Sequence, residues 1–394
     1  MLNKLFFTVF VLAFLLFACK GENNMENIKS IIKNVKQEVA PDKRTAIFDV
    51  HYSVENNKLK LSGETTEPEA LVKLNKSLAE LGMQIENDIK MLPDENLGDK
   101  HFGIINLSVA NIRSKPSHPA ELATQSLLGT SVNVLKKDDG WYQIQTPDKY
   151  ISWVDDDALA IVDKNELQSW KDAKKIVYTK TYGHVFSKAN SQSEKVSDIL
   201  VGDLLKNISE EGKYLKVEYP DGREGFVEKE NCLDYTQWAN DSVVTGESII
   251  SSASEYLGLP YLWGGTSSKG FDCSGFTKTV YFQHGVILPR DASQQVLVGE
   301  LVNTDQNFDE LQKGDLLFFG RKKTETDTER VTHVAIYLGN NEYIHAAGRV
   351  RINSLEKKSE IFNQYRLNTF IRAKRMIGNY NKGENLVVNN SFYN

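Results

Sequence analysis

Cysteine is scarce in this chain, which holds three cysteines in 394 residues, namely Cys19, Cys232 and Cys273. So few thiols in a chain of this size exclude a fold that disulfides hold together. The scattered His and Cys residues also lack the spacings typical of a metal site, and the sequence contains no phosphate-binding loop. We therefore expect no metal and no cofactor.

Long apolar runs are equally scarce. The one such run, Leu5 to Phe17, follows Lys4 and ends at Ala18-Cys19, which is the pattern of a targeting segment. It resembles a bacterial lipoprotein signal over residues 1–19 with Cys19 lipidated, and a plain secretory signal cut elsewhere is the alternative. No other stretch approaches the ~20 apolar residues of a membrane span. We expect an exported lipoprotein of the cell envelope, periplasm-facing or on the outer membrane, held to the membrane by acyl chains on Cys19.

Neither sign of charge dominates the chain. The formal net charge is −6, with basic and acidic residues interspersed, which argues against a nucleic-acid partner. A length of 394 residues exceeds one ordinary domain, so two to four domains are expected. We expect the protein to be a monomer.

What the sequence does contain is a cysteine at the predicted start of a helix. Trp263-Gly264-Gly265 predicts a turn, Cys273 follows it, and residues 277–283 are helical up to a C-terminal cap at Gly285. The unpaired N–H groups and the positive dipole end at a helix start favour thiolate over thiol. A cysteine nucleophile also needs a base. Taken alone, such a cysteine is more often inert core.

Two histidines downstream are candidates for that base. Val331 to Leu338 and Glu342 to Ala347 alternate like strands around the turn residues Gly339-Asn340-Asn341. With a three-residue turn, His333 and His345 become diagonal neighbours on one face, roughly 7–8 Å apart at the backbone. One histidine then takes the thiol proton and the other orients it. A two-residue turn would put them on opposite faces. Either histidine alone is more often a surface or satisfied core residue.

At this point the residues resemble a known family. Six short motifs occur in that family's order, in Pro260 to Gly265, Asp272 to Phe276, Leu288 to Arg290, Gly314 to Leu316, His333 to Tyr337 and His345-Ala346. They resemble the NlpC family of cell-wall cysteine peptidases, over about residues 245–375. The resemblance implies a papain-like α+β core and cleavage of the bond between D-glutamate and a diamino acid in peptidoglycan stem peptides.

The same resemblance implies residue roles. It assigns the catalytic triad to Cys273, His333 and His345. It also sets three residues beside the nucleophile, with Tyr261 helping to steady an oxyanion, namely Tyr261, Trp263 and Ser274. Aromatic packing around a tight turn is the alternative for Trp263.

The middle of the chain contains a repeat. In each copy a short alternating strand leads into a Pro-Asp turn and a second strand with an aromatic residue, in Gly140 to Val154 and again in Gly212 to Val227. These copies resemble two bacterial SH3-like barrels, at residues 101–162 and 174–236, each of which is expected to close five or six short strands.

Tandem SH3-like barrels before such a domain resemble the three-domain peptidases that take free stem peptides during peptidoglycan recycling. In that subgroup the first barrel packs over the active site and helps to recognise the free amine of L-alanine. Carried over, Asp291 matches the amine-binding position, and Glu121 and Tyr150 are the first barrel's candidates for completing the pocket. An amine needs carboxylates around it. The alternatives are a solvated loop carboxylate for Glu121 and a barrel aromatic for Tyr150.

The remaining segments say less. Residues 25–95 predict two helices and two strands, a small α+β domain of unknown role. Residues 378–394 form a polar tail, either an ordered strap or a loose end. The expected architecture is thus an α+β papain-like cysteine peptidase domain preceded by two small all-β SH3-like barrels and a small N-terminal α+β segment.

The resulting hypothesis is a cysteine peptidase that acts on stem peptides with a free N-terminal L-alanine. One rival is an endopeptidase or hydrolase acting on intact wall, against which Asp291 argues. A second is a tethered wall-binding protein, against which the three filled triad positions argue. A third is acyl transfer or amidase chemistry on another γ-glutamyl or lipid amide.

Overall fold

The computed structural model describes residues 25–55, 58–241 and 244–394. The predicted signal and Cys19 lie outside these residues. The chain divides into two compact units, Met1–Leu97 and Gly98–Asn394. Among the described residues, no helix is both long and apolar enough to cross a membrane. The expected ranges 101–162, 174–236 and 245–375 lie within the second unit and remain predictions as domain boundaries.

The first unit is a three-stranded sheet with two helices. Its elements are α1 (25–39), β1 (Phe48–Glu55), β2 (Lys58–Thr65), α2 (Pro68–Ala79) and β3 (Gln84–Met91). β1 pairs antiparallel with β2, and α2 carries the chain to β3, which pairs parallel with β2. The sequence predicted both helices and the first two strands but missed β3. Its polar side chains alternate with only partly buried apolar ones, so its apolar signal is weak.

The second unit begins with a seven-stranded antiparallel sheet. Its strands are β4 (Phe102–Ile105), β5 (Val109–Arg113), β6 (Leu122–Leu127), β7 (Ser131–Asp138), β8 (Trp141–Gln145), β9 (Ile151–Asp155) and β10 (Leu159–Val162). They are ordered β10-β4-β7-β8-β9-β5-β6. α3 (Lys164–Asp172) follows, and a capping box formed by Asp163 and Glu166 begins it.

A second sheet repeats this order. Its strands are β11 (Lys175–Tyr178), β12 (Gly183–Phe186), β13 (Lys195–Ile199), β14 (Leu204–Glu211), β15 (Tyr214–Glu218), β16 (Glu224–Glu228) and β17 (Cys232–Asp234). They run β17-β11-β14-β15-β16-β12-β13, which matches the first sheet strand for strand. The predicted five or six strands were too few, because the short strands that enter and leave each sheet pair with each other.

The C-terminal part of the second unit is a six-stranded antiparallel sheet with helices. The helices are α4 (Tyr235–Asp241), α5 (Gly246–Ser254), α6 (Cys273–Phe282), α7 (Ala292–Gln295) and α8 (Gln364–Thr369). The strands are a small hairpin, β18 (Thr266–Ser267) and β19 (Gly270–Phe271), and the main sheet of β20 (Glu300–Val302), β21 (Leu316–Arg321), β22 (Arg330–Gly339), β23 (Glu342–Ala347), β24 (Arg349–Ser354) and β25 (Phe370–Arg375).

The main sheet is ordered β20-β25-β21-β22-β23-β24 and carries a separate apolar cluster on each face. α6 packs on one face through Phe276 and Val280, against Val334 and Ile344. Gly285 caps the C-terminal end of α6, as predicted: its φ is 70°, Gly285 N donates to Phe282 O, and Val286 N donates to Tyr281 O. A helix packed on an antiparallel sheet with its first residue at the sheet is the predicted papain-like arrangement.

The polar tail is an ordered strap. Val387 N donates to Gly285 O, and Ile287 N donates to Asn385 O, so the tail runs along the end of α6. Tyr393 is buried in a cluster with Trp238 and Ile287. The strap interpretation was therefore the correct one of the two left open.

Candidate active site

The cysteine lies at the first residue of α6, as the sequence predicted. Asp272 is the N-cap, and its Oδ1 accepts a hydrogen bond of 2.7 Å from Gly275 N. Gly275 is required here by a close approach, because a Cβ at this position would lie 1.9 Å from Gly265 O. The turn at Gly265 and the start of α6 are therefore in close contact, and Cys273, the first residue of α6, is buried.

A buried arginine anchors this helix start. Arg290, which is 1% exposed, places Nη2 at 2.5 Å from Asp272 Oδ2 and donates from Nη1 to Ser274 Oγ at 3.1 Å. Asp272 Oδ2 also accepts from Gly264 N at 3.1 Å. The hydroxyl of Ser274 is therefore occupied by a structural contact. Sequence reasoning quoted Arg290 within a motif but gave it no role.

The thiol is more protonated than its place at a helix start predicted. Burial raises the pKa of Cys273 to about 11, and the Asp272 carboxylate adds to the rise. The backbone N–H groups of Val334, in β22, and of Ser274, at the helix start, both lower it, but burial outweighs them. Only the contribution of Ser274 is the predicted helix-start effect. The same N–H of Val334 shows that the sulfur lies against β22, next to His333.

The two histidines share one face, but not for the predicted reason. The turn between β22 and β23 contains two residues, Asn340 and Asn341, both with positive φ, so the three-residue turn was wrong. A bulge between Tyr337 and Gly339 absorbs the missing residue, and Ile336 still pairs with Ile344. The bulge thus keeps the register that the longer turn would have given.

The histidines form a hydrogen-bonded chain that ends at an asparagine. His333 Nε2 lies 2.7 Å from His345 Nδ1, and His345 Nε2 lies 3.0 Å from Asn353 Oδ1. Asn353 Nδ2 donates to Ile361 O at 3.0 Å, which fixes the orientation of the amide. Since an amide oxygen only accepts, His345 carries its proton on Nε2 and its Nδ1 accepts from His333. The lone pair of His333 is therefore left on Nδ1.

Both imidazoles are held neutral. Burial lowers the pKa of His333 well below its usual value, and the cationic groups of Arg366 and Arg351 lower it further. Burial also lowers the pKa of His345 to about 3, against a partly compensating hydrogen bond to Asn353. Two neutral imidazoles and a neutral thiol do not form a preformed thiolate–imidazolium ion pair, and a neutral imidazole is able to accept a proton.

Tyr261 lies next to the cysteine. Its backbone forms a β-bridge with Phe271, the last residue of β19. Burial, followed by the charges of Cys273 and Asp272, raises the pKa of its phenol. The hydroxyl is therefore protonated and able to donate. Trp263, by contrast, is 63% exposed and donates from Nε1 to Glu121 Oε1 at 2.7 Å.

The first seven-stranded sheet contacts the turn Trp263-Gly264-Gly265, beside the cysteine. A Cβ on Gly264 would lie 2.1 Å from Leu122 O, so the strand after Glu121 touches the turn directly. Gln125 fixes the contact, because its Oε1 accepts from Thr266 N and from Ser267 Oγ, each at 3.0 Å. Sequence reasoning missed Gln125, since both ends of the contact lie far apart in the chain.

Two of the three amine-pocket candidates act on the same buried arginine, and the third contacts Trp263. Asp291 follows Arg290 and begins α7, with its carboxylate 3.9 Å from Arg290 Nη1. Tyr150 acts electrostatically on Arg290. Glu121 reaches the site through its bond to Trp263. The structure thus brings each candidate to the cysteine side of the site and gives no direct contact between Glu121 and Asp291.

Comparison with known proteins gives a consistent result. The profile of the NlpC/P60 family matches residues 258–372, and that of the bacterial dipeptidyl-peptidase SH3 domain matches residues 112–159. A γ-D-glutamyl-L-lysine dipeptidyl-peptidase from Bacillus cereus is 31% identical over 234 residues, which are 57% of this chain and 67% of that protein. Dipeptidyl-peptidase 6 from Lysinibacillus sphaericus is 26% identical over 66% of this chain and 94% of its own length.

A solved structure agrees. The crystal structure of an NlpC/P60 family protein from Bacillus cereus superimposes with a TM-score of 0.58 at 25% identity, over 70% of this chain and 99% of that one. The similarity therefore extends beyond the region that the NlpC/P60 profile matches and includes the residues before it.

Proposed function

Because the chain belongs to the NlpC/P60 family and is a cysteine peptidase acting on cell-wall peptides, we propose that it hydrolyses the bond between γ-D-glutamate and a diamino acid in free stem peptides. The observation that carries this proposal is the placement of the Cys273 sulfur against the strand of a histidine whose free lone pair is on Nδ1. These groups are what acyl transfer through a thioester requires.

In the proposed reaction, Cys273 Sγ attacks the γ-carbonyl carbon while His333 Nδ1 takes the thiol proton. His345 holds the ring of His333 through its Nδ1. The tetrahedral oxyanion accepts hydrogen bonds from N–H groups at the start of α6 and from the Tyr261 hydroxyl. On collapse, His333 gives the proton to the leaving amine and the C–N bond breaks. Water activated by His333 then hydrolyses the thioester and regenerates the thiol.

The preference for a free N-terminal L-alanine rests on the acidic side of the site. Glu121 and Asp291 supply carboxylates on the cysteine side, and Tyr150 acts electrostatically on Arg290. A free amine can form charge-assisted hydrogen bonds with these carboxylates, and a blocked amine cannot. The proposal thus favours free peptides from recycling over intact wall. Export to the envelope on a lipidated Cys19 belongs to the same proposal.

Product analysis by mass spectrometry tests the proposal. The purified protein is given L-Ala-γ-D-Glu-diaminopimelate and, separately, its N-acetylated form, with Cys273→Ala as the control. We expect cleavage of the free peptide into L-Ala-D-Glu and diaminopimelate, and little of the acetylated one. Equal cleavage of both would favour an endopeptidase of intact wall. No Cys273-dependent cleavage would refute the proposed activity.

A further inference from the structure

Two arginines lie beside the histidine pair. Arg351 is the strand partner of His345 in the β23–β24 register, so the two side chains lie on the same face. Arg366, from α8, places its guanidinium carbon 5.6 Å from the centre of the Phe319 ring. That ring centre lies in turn 5.9 Å from the ring of His333. After burial, both cations are among the groups that lower the pKa of each histidine, so both are close enough to act on them.

The charges of these two arginines are not neutralised within the protein. Arg290, Arg372 and Arg375 each have a carboxylate partner, but no ion pair of Arg351 or Arg366 occurs in the described part of the chain. Arg351 Nε is buried and has no hydrogen-bond partner among those residues. Arg351 also acts as a like charge on Arg366. Two half-buried cations side by side without an anion are costly, so the missing anion is expected from a ligand.

The chemistry of the proposed reaction identifies which part of the substrate lies there. His333 must return its proton to the leaving amine, and a general acid acts at hydrogen-bond distance. The leaving residue therefore lies on the histidine side, while the acyl half lies toward Asp291 and Glu121. In the proposed substrate, the leaving residue is the diamino acid. Its free carboxylate is the anion of the leaving half, on the side of Arg351 and Arg366, whereas the free α-carboxylate of the γ-linked D-glutamate belongs to the acyl half.

We propose, on the basis of the proposed function, that Arg351 and Arg366 bind a free carboxylate on the leaving diamino acid. The site is then acidic at the end that takes the amine and basic at the end that takes the carboxylate. This arrangement suits a short peptide with both charged ends free. Two carboxylates of the leaving residue share this chemistry, the α-carboxylate of a peptide that ends at the diamino acid and the side-chain carboxylate of diaminopimelate, which lysine lacks. Guanidinium groups bind either one through paired N–H donors.

An assay with four peptides distinguishes which of the two carboxylates is bound. The full chain is assayed with L-Ala-γ-D-Glu-L-Lys, with its α-carboxamide, with L-Ala-γ-D-Glu-diaminopimelate and with the form of the last that is amidated on the side chain. We expect amidation of the bound carboxylate to raise KM roughly 10- to 100-fold, the range for a hydrogen bond to a charged group, with kcat little changed. If α-amidation raises KM, the α-carboxylate is the group that the arginines bind. If side-chain amidation raises KM, they bind the side-chain carboxylate of diaminopimelate. Equal KM for acid and amide in both pairs would overturn the inference.

Variants test whether the two arginines, rather than a general change in the protein, cause the preference for the acid over the amide. Arg351→Met combined with Arg366→Met should abolish the difference between acid and amide, while Arg351→Lys with Arg366→Lys should keep part of it. Arg321→Met is the matched control, since Arg321 is an exposed arginine of the same sheet that already pairs with Asp327 at 3.2 Å. An acid preference that survives in the double Met variant would contradict the assignment. If no peptide is cleaved in a Cys273-dependent way, the proposed function itself fails, whereas equal cleavage of all four removes this inference alone.

Discussion

The two halves of the site are built in different ways. On the cysteine side, Asp272, Cys273 and Ser274 are consecutive and begin one helix, and a single buried guanidinium locks them. On the histidine side, His333, His345 and Asn353 come from three neighbouring strands and are joined by side-chain hydrogen bonds. The first half depends on a buried ion pair and the second on a chain of neutral groups.

This difference determines what each half loses when it is altered. Removing one member of a buried ion pair leaves an uncompensated charge and threatens the fold. Removing one member of a neutral hydrogen-bonded chain changes which nitrogen carries a proton and leaves the packing largely intact. Damage on the cysteine side should therefore appear first as lost stability, and damage on the histidine side first as lost rate.

The largest effect is expected from Arg290→Met. It leaves the buried Asp272 carboxylate without its cation, which should lower the free energy of unfolding by about 3–5 kcal/mol. Urea denaturation, followed by the fluorescence of the tryptophans, measures the loss. In the double variant Arg290→Met with Asp272→Asn, the amide still caps α6 but no charge remains, so part of the stability should return. If the double variant is less stable than Arg290→Met, the ion pair is not what anchors the helix start.

Asn353→Leu probes the histidine half. Without the amide oxygen, His345 no longer has to carry its proton on Nε2, and the lone pair of His333 is no longer held on Nδ1. We expect kcat to fall about 100-fold, within the range that general-base catalysis contributes, with little change in unfolding temperature. Asn353→Asp restores an acceptor at the same position and should recover most of the rate.

The ¹⁵N shifts of the imidazoles provide a readout that simple packing damage would not move. They should report His345 protonated on Nε2 in the native protein and in Asn353→Asp, and a mixture of tautomers in Asn353→Leu. Identical tautomers in all three proteins would remove the role assigned to Asn353.

The halves also differ in how well the sequence predicts them. The cysteine half is local, so a turn, a cap and a helix start within about a dozen residues indicate it directly. The histidine half depends on register, which the sequence predicted through a three-residue turn, whereas a two-residue turn and a bulge produce it. Asn353 was missed because only the pairing of β23 with β24 brings it to His345. Long-range pairing of this kind leaves no signal in the local pattern.

The thiol pKa was mispredicted for the same reason. Its helix start is a local feature, and it does act on Cys273, but the burial that outweighs it belongs to a core cluster that includes residues far along the chain, such as Val334 and Ile344. Arg290 and Gln125 were likewise given no role, because what they contact lies on other elements.

A smaller effect is expected where the first sheet meets the cysteine half. Glu121→Gln keeps an acceptor for Trp263 Nε1 but removes the charge, so KM for the free peptide should rise about tenfold, as for the loss of one charge-assisted hydrogen bond. Cleavage of the N-acetylated peptide should not change. The second sheet offers a matched control, because Glu194 occupies the equivalent position: Ser187 N donates to Glu194 O as Ser114 N donates to Glu121 O.

Glu194→Gln should leave both peptides unaffected. The two variants therefore test why the first sheet contributes to substrate binding. The reason is either that Glu121 lies next to the site or the fold that the two sheets share. Equal changes in the two variants, measured as KM for the free peptide, would mean that Glu121 acts only through the stability of its sheet.

The smallest expected effect is a shift in the pH profile of kcat/KM when Arg366 is replaced. In the proposed reaction His333 is a base, which it can be only while neutral, and its pKa is lowered by burial and then by Arg366. The acid limb of kcat/KM, which reports the free enzyme, should therefore lie below the pH at which an ordinary histidine titrates. Arg366→Met removes a cation that disfavours the imidazolium, so the pKa rises and the limb should move to higher pH. Each profile is scaled to its own plateau, since this variant is also expected to raise KM.

With the control variant Arg321→Met, the acid limb should stay in place. An acid limb that does not move in Arg366→Met would mean that the charge of Arg366 does not keep His333 neutral, and the contrast between the two halves would then rest on burial and hydrogen bonding without a contribution from this arginine.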